Sequence, residues 1–448
     1  MVADDSAPER TGRAAARSGR GEVARCTIGS SPACPFAVLS SLSLSMSALA
    51  TPPLALYVHF PWCVRKCPYC DFNSYTLSGA LAQDPYVARL ARDIAAQAPQ
   101  LAGRPVTSVF FGGGTPSLFS PEAIGRVLEA ARRHLVVAPD AEVTLEANPG
   151  AIERGAFREY GAAGVTRVSL GAQSFDPRAL ASLGRIHSCA DTRRAAAELH
   201  AAGLSNFNLD LMYGLPGQDV AGAVRDLEEA LALSPAHLSH YQLTLEAGTV
   251  FAARPPALPD EDACAAMLDE CRARLSTAGF AQYEVSAYAR PGAQCRHNLN
   301  YWTFGDYLGV GAGAHGKLTF ALRQQIVRTT QPREPRRYLA HAEEALVQRT
   351  ILPEELPFEF MLNALRLTAG FEQASFAART GLAWEVVDAP VQAAQRAGLL
   401  LRTAGGYRPS ARGLQFLNDL LLGFLPETSR KSGASALSMA TPEVPATA

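Results

Sequence analysis

The chain has 448 residues, 48% of them hydrophobic, enough apolar material for a large core spread over roughly two to three domains and too much for wholesale disorder. Lys and Arg number 41 and Asp and Glu 42, a net charge of −1, so the whole chain makes no electrostatic case for nucleic acid or an anionic membrane. Nine cysteines, an odd number in a long chain, do not read as a disulfide framework.

In chain order, residues 1–53 differ in composition from the rest of the chain. Residues 1–25 are rich in Arg, Ala and Gly with mixed acids, and 27–53 are uncharged and rich in Ser and Pro. The mildly apolar run PFAVLSSLSLSMSALA is broken by serines and preceded by Asp4, Asp5, Glu9 and Glu22, unlike a signal peptide. The expectation is a disordered extension with Met46 as the natural start. From 54 onward, short β-rich runs alternate with alanine-rich segments of helical spacing. Strands are expected at 54–60, 106–111, 142–146, 166–171, 206–211 and 238–245, and helices at 84–98, 121–135, 151–162, 189–202, 219–233 and 261–278. Six strand–turn–helix repeats predict a parallel sheet with crossover helices, either an incomplete barrel or a doubly wound sheet, since a closed barrel needs eight. FAQYEVSAYAR near 280 reads as one period-2 strand. Residues 54–290 thus form the barrel-like domain and 291–352 a linker carrying RHNLNYW. Residues 353–425 form a helical module in which LLLR, a Gly-Gly turn and YRPS make a wing-like hairpin. Its stretch 394–412 holds four arginines and no acid, and the module reads as a lid or docking element over the barrel mouth. Residues 426–448, rich in Ser, Thr, Ala and Pro, read as a disordered tail.

The cysteines concentrate in HFPWCVRKCPYCDFNSY, which spaces Cys63, Cys67 and Cys70 as Cys-x3-Cys-x2-Cys. Structural zinc wants four ligands, usually from paired Cys-x2-Cys knuckles. No second pair occurs downstream, and His59, the one nearby fourth donor, lies inside a strand. Three thiolates instead suit a [4Fe-4S] cluster with one iron left open to a small chelating molecule. Zinc and unrelated thiols stay as alternatives. Cys189, Cys264 and Cys271 fall on helices and read as small buried residues.

This cysteine pattern, with Tyr69 before the last cysteine, resembles the radical S-adenosylmethionine (SAM) superfamily, whose fold is a partial (βα)6 TIM-like barrel. YVHFPWCVRKCPYCDF, FFGGGTPS, LEANP, SLGAQSF, LGRIHS, DLMYGLPGQ and HNLNYW are together similar to the oxygen-independent coproporphyrinogen III oxidase family, and most similar to its heme-chaperone branch, HemW. The resemblance spans about 54–425 and implies an α/β partial barrel with a small C-terminal winged-helix-like domain. It implies that Cys63, Cys67 and Cys70 hold the cluster, and that the methionyl amine and carboxylate of SAM chelate the open iron. Electron transfer from the reduced cluster then cleaves a C–S bond of SAM.

Other residues fit around that expectation. Gly113, Gly114 and Thr115 come directly after a strand, where a Gly-rich turn brings backbone N–H groups close to a ligand; a tight βα turn is the plainer reading. Glu146 ends the third strand, Gln173 follows the fourth, Arg185 lies beyond it and Asp210 is within the fifth, at successive βα exits where polar groups point into a barrel's site; singly, each is more often a cap or a loop ion pair. The resemblance implies that these residues, with Tyr57 and Tyr69, bind SAM. His297 is either a packed histidine among aromatic neighbours or, by resemblance, an axial heme ligand flanked by Tyr301 and Trp302. Cys295 is a further candidate with no support. Coproporphyrinogen-oxidising members carry another cysteine two residues after the third; here that place is Phe72, and residues 1–53 do not resemble their substrate-covering segment. Both departures favour the chaperone branch over decarboxylation of coproporphyrinogen III. The implied partners are heme and apo-hemoproteins, including membrane respiratory ones, with no nucleic acid, and a homodimer is compatible. An oxygen-sensitive cluster implies a reducing compartment, the cytoplasm.

Overall fold

The computed structural model describes residues 48–150, 156–340 and 346–426. Most of the N-terminal extension, the tail beyond 426 and the start of the helix expected at 151–162 lie outside them. All six expected strands form: β1 (Leu54–Phe60), β2 (Pro105–Gly113), β3 (Val136–Ala147), β4 (Arg167–Gln173), β5 (Phe207–Tyr213) and β6 (His237–Gln242). Between them run α1 (Gln83–Gln97), α2 (Pro121–His134), α3 (Phe157–Ala163), α4 (Pro177–Ser182), α5 (Cys189–Ala201) and α6 (Val220–Ala232), with α7 (Glu261–Thr277) after β6. Local chemistry sets the helix starts. Ser120 accepts from Ala123 N–H ahead of Pro121 in α2, and Ser188 and Asp191 cap α5 reciprocally.

Strands β1 to β6 lie side by side in chain order and all run parallel. A doubly wound sheet reverses the direction of strand addition partway, and this one does not. Successive right-handed crossovers then put every helix on one face, as in a barrel. All of β1 is buried because it is covered on both sides. Leu54, Leu56, Val58 and Phe60 pack with Leu90, Ile94, Ile124 and Val127 of the helical layer. Ala55 and Tyr57 face inward, beside Tyr301 and Cys295 respectively.

Three expectations are corrected. The segment 291–352 is not a linker. It holds α8 (Arg296–Trp302), β9 (Asp306–Val310), β10 (His315–Phe320), β11 (Gln325–Thr330), α9 (Pro335–Ala340) and β12 (Val347–Thr350). Strand β9 pairs parallel with the free side of β1, Leu54 opposite Asp306, and β10, β11 and β12 are added antiparallel. Asp306 anchors this addition, bonded to Lys317 at 2.9 Å and Arg104 at 2.8 Å in a buried group. The single strand expected near 280 is a hairpin of β7 (Ala281–Gln282) and β8 (Ala287–Ala289) that closes the far edge of a 12-stranded sheet. Finally, residues 48–53 do not stand apart from the fold: Leu49 is buried, its N–H reaching Gln324 Oε1 at 3.2 Å, and Ala50 N–H bonds Ala378 O at 2.8 Å.

The C-terminal module contains α10 (Leu356–Ala364), α11 (Gln373–Thr380) and α12 (Glu385–Arg396) beside a small sheet of β13 (Phe371–Glu372), β14 (Leu400–Arg402) and β15 (Gly406–Pro409). The expected hairpin is β14–β15, with β13 added to its outer side. Phe360, Phe376, Val387 and Leu400 form the module's core, and Trp384 stacks on Tyr407 at 5.3 Å. Arg366 ties it to the barrel, 3.1 Å from Glu284 and 4.4 Å over the Trp302 ring. Among the described residues no helix is long and apolar enough to cross a membrane.

Candidate cofactor-binding site

The loop 61–74 leaves the C-terminal end of β1 and carries all three clustered cysteines. Backbone bonds shape it: Tyr75 N–H to Pro61 O at 2.7 Å, Leu77 N–H to Cys63 O at 2.8 Å and Cys70 N–H to Cys67 O at 3.2 Å. Lys66 Nζ closes it from outside, donating to Phe72 O at 2.9 Å and Ser74 O at 3.1 Å. Burial pushes the Cys63 thiol up to about 11, opposed by a hydrogen bond with Thr115. Cys70 is also raised by burial, against backbone and Ser74 contacts. Half-buried thiols such as Cys63 and Cys70, which resist losing a proton on their own, suit a site where bound metal charge drives deprotonation.

The glycine turn after β2 admits no side chain. Gly113 has φ +114°, and a Cβ there would sit 2.5 Å from the His59 ring. One on Gly114 would sit 2.6 Å from Trp62 O. Gly114 N–H bonds Phe60 O at 2.7 Å, while Gly113 N–H donates to Glu146 Oε2 at 2.9 Å. The turn is thereby stitched to β1 on one side and β3 on the other. His59, the fourth zinc donor considered above, has both ring nitrogens engaged, with Tyr57 OH and Asn73 O, each at 2.9 Å. Among the described residues, no three His, Cys, Asp or Glu side chains are gathered around one ion-sized point. A polynuclear cluster makes no such demand, because each thiolate binds its own iron.

A hydrogen-bonded chain runs from one cysteine to another. Thr115, bonded to Cys63, accepts from Asn148 Nδ2 at 3.0 Å. Asn148 Oδ1 accepts from Arg185 Nη2 at 2.5 Å, which also reaches Gly171 O at 2.7 Å. Arg185 Nη1 lies 3.7 Å from Cys67 Sγ. On the inner wall, Asp210 accepts from Asn208 Nδ2 at 2.5 Å, and Asn208 Oδ1 pairs with His237 at 2.7 Å and Ser239 at 3.1 Å. Burial lifts Asp210 to about 6, and burial with the charge of Asp210 lifts Glu146 to about 8. Gln173, at φ +66°, is held by Tyr241 OH at 2.7 Å. Tyr69 packs against Phe251 at the mouth. Tyr69, Gly113, Gly114, Thr115, Glu146, Gln173 and Arg185 therefore gather at or beyond the C-terminal strand ends, around the cysteine loop, while Tyr57 and Asp210 stand mid-strand on the inner wall.

His297 is elsewhere. It is the second residue of helix α8, within the segment expected as a linker, and lies 1% exposed at the floor of the barrel. Phe110 stacks on it at 4.9 Å, and Tyr57 lies beyond at 6.4 Å. Nδ1 is bonded to Ser108 and Nε2 to Tyr301, each at 3.1 Å, so in this arrangement neither nitrogen is open to a ligand. Burial, with the charge of Arg167 beneath it, pushes its pKa down to about 3. Cys295 is fully buried, its thiol 3.5 Å from Glu142 Oε1.

Asn148, Asn208, His237, Tyr241 and Glu142 were missed from sequence. Period-2 reading of EVTLE puts Glu142, Thr144 and Glu146 on one face, and of NLDL puts Asn208 with Asp210. That signal was available, whereas nothing in the run of residues marks Tyr241.

A partial barrel of parallel strands with a three-thiol loop at its C-terminal mouth is the architecture of a radical SAM protein. In agreement, residues 57–249 match the radical SAM superfamily and 351–416 the HemN C-terminal domain. The solved structure of Escherichia coli coproporphyrinogen III oxidase, HemN, shares the fold at a TM-score of 0.71 with 22% identity, covering 84% of this chain and 90% of that one. The heme chaperone HemW of Escherichia coli K12 is 47% identical over 381 residues, 84% of this chain and 99% of that protein. HemW of Haemophilus influenzae is 43% identical over 380 residues, again 84% and 99%. The chain belongs to the HemW heme-chaperone family.

Proposed function

We propose that this chain is a heme chaperone that holds a [4Fe-4S] cluster on Cys63, Cys67 and Cys70, binds SAM at the barrel mouth, takes up heme and passes it to apo-hemoproteins in a reducing compartment. The observation that carries the cofactor part is the bonded chain Cys63–Thr115–Asn148–Arg185–Cys67, set against the glycine turn and the Glu146–Asp210 wall. The heme part rests on the family, whose characterised relatives are named for it. When bound, the cluster and SAM supply one-electron chemistry. The chain's own residues place and enclose them. The three cysteines would hold iron as thiolates, their protons released to solvent; Gly113 and Gly114 keep the turn open for a close backbone approach. Glu146 and Asp210 offer oxygens to an amine or ribose hydroxyls, and Arg185 has N–H groups left for a carboxylate. For His297 to ligate heme iron, helix α8 must leave the barrel floor and give up the Ser108 or Tyr301 bond. Phe72 closes the cysteine loop where an oxidase would carry a further cysteine.

Anaerobic reconstitution with iron and sulfide tests the reading. Four irons per chain, an EPR signal on reduction that changes with SAM, and stoichiometric heme uptake are expected. Stoichiometric zinc with no iron would defeat the cluster, and rapid formation of protoporphyrinogen from coproporphyrinogen III, SAM and reductant would replace chaperone by oxidase. Heme titration of His297→Ala with unchanged affinity and spectrum would remove His297 as ligand.

A further inference from the structure

We infer that Arg185 sets the reduction potential of the cluster through Cys67, and that Asn148 is the positioning residue that aims it. This rests on the proposed cluster and goes beyond it, since the proposed function uses the Asn148–Arg185–Cys67 contacts only as a sign of the site and assigns them no effect on the cluster.

Three observations converge. First, both hydrogens of Arg185 Nη2 are taken, by Asn148 Oδ1 at 2.5 Å and Gly171 O at 2.7 Å. A planar guanidinium fixed at one nitrogen is fixed at all three, and Nη1 is thereby directed at Cys67 Sγ, 3.7 Å away. Second, Asn148 is itself held, its amide donating to Thr115 Oγ1 at 3.0 Å. The oxygen it turns to Arg185 is therefore assigned by the network, with no free flip. Third, the chain brings Arg185 to the loop through a position that only glycine fits. Gly184 has φ +68°, and a Cβ there would lie 2.9 Å from Pro68 Cδ, the residue after Cys67. LGRIHS and LEANP, two motifs that stand more than thirty residues apart in the sequence, are in this way parts of one device.

The chemistry is set by charge. Adding one electron to a [4Fe-4S]2+ cluster gives [4Fe-4S]1+, so a site of three thiolates becomes more negative by one. An N–H donor and a full positive charge at a ligating sulfur stabilise the reduced state more than the oxidised one and raise the potential. The electron comes from an added low-potential reductant, dithionite in the test.

The test is an EPR-monitored potentiometric titration of the reconstituted protein without SAM, so that loss of a SAM contact does not enter. Arg185→Gln is expected to lower the reduced-to-oxidised ratio at fixed potential about tenfold, which for a one-electron couple is 59 mV. Arg185→Lys, which keeps the charge, recovers part of it. Asn148→Ala moves the potential in the same direction by less, because Gly171 O still holds the guanidinium. A wild-type potential in Arg185→Gln, or a higher one, overturns the inference. If Arg185→Gln takes up no cluster, Asn148→Ala decides by the same criterion. Failure of the wild-type chain to form any [4Fe-4S] cluster sinks the cofactor reading itself, a separate result.

Discussion

Glu142, on the inner face of β3, accepts the backbone N–H of His297 at 3.2 Å, and its other oxygen accepts Arg296 N–H at 3.2 Å. Helix α8 has no side-chain cap of its own, since its N-cap is Cys295. A carboxylate from the barrel wall therefore satisfies the orphan donors at the helix start and meets the positive end of its dipole. Arg167, fully buried below, balances the charge. Glu142→Ala leaves the helix donors without an acceptor and Arg167 with Asp210 as its remaining carboxylate, and a loss of about 3 kcal/mol is expected. Glu142→Gln keeps one acceptor and should cost less. Urea denaturation of the two variants measures this; an Ala variant as stable as wild type would show that the floor does not depend on the cap.

The same helix makes a prediction about heme. His297 Nε2 is bonded to Tyr301 OH at 3.1 Å. If heme uptake proceeds through His297 Nε2, that bond must break first, and Tyr301→Phe removes it in advance. One neutral hydrogen bond is worth about 1 kcal/mol, so heme affinity should rise by roughly fivefold. Spectrophotometric titration compares the two proteins. Equal or weaker binding by Tyr301→Phe argues that heme iron is not held by His297 Nε2.

Much of this arrangement was legible in the sequence, and the exceptions have physical reasons. Strand β1 was placed to the residue because LALYVHF is uninterrupted and apolar. The short β9 was not, because DYLGV sits among glycines and its partner is the distant β1. Pattern reports local periodicity, and parallel pairing between remote segments leaves no local trace. The site residues at strand exits could be named because polar side chains at those positions are conspicuous against apolar strands. What could not be read was their wiring, such as the path from Cys63 to Cys67 through Asn148. His297 marks the limit most clearly: the letters HNLNYW are the same whether the imidazole faces a ligand or lies sealed between Ser108 and Tyr301.

Buried histidines set the response to acid. His240 is buried against the Tyr213 ring at 4.8 Å with both nitrogens unpartnered, and burial, then the charge of Arg272, pushes it down to about 3. His297 sits equally low. In the unfolded chain each takes up a proton near 6.5, while the folded protein accepts it only near 3. The unfolded state therefore binds more protons between those values, and stability falls as pH drops through that window. Each histidine contributes a loss on the order of 2 kcal/mol by pH 5. Glu146, raised to about 8, has the opposite sign: its share is present at low pH and fades as pH rises towards that value. His240→Phe keeps the ring stacking and removes one titration. Its stability difference between pH 7.5 and pH 5 should shrink by ~2 kcal/mol, measured by denaturation at both pH values. A pH dependence equal to wild type would rule out His240 as a source.

The glycine turn is the sharpest steric test of the cofactor site, because two glycines of the chain can be compared. A Cβ on Gly114 would lie 2.6 Å from Trp62 O and 2.9 Å from Trp62 N, backbone atoms that no rotamer change can move aside. Trp62 and Cys63 form a two-residue strand paired with Tyr75 and Thr76, so pushing Trp62 away displaces Cys63 directly. Gly203, by contrast, has φ +74° and open space where its Cβ would stand. Gly203→Ala carries only the backbone penalty of a left-handed position, about 1 kcal/mol, with nothing moved near the cysteines. Gly114→Ala should therefore lose most of its iron on reconstitution while its far-ultraviolet circular dichroism stays that of a folded barrel. Gly203→Ala should be slightly less stable than wild type and carry full iron. Iron and acid-labile sulfide analysis reads the difference. Were Gly114→Ala to load as well as Gly203→Ala, the close approach of the turn to the cysteine loop would have no part in holding the cluster.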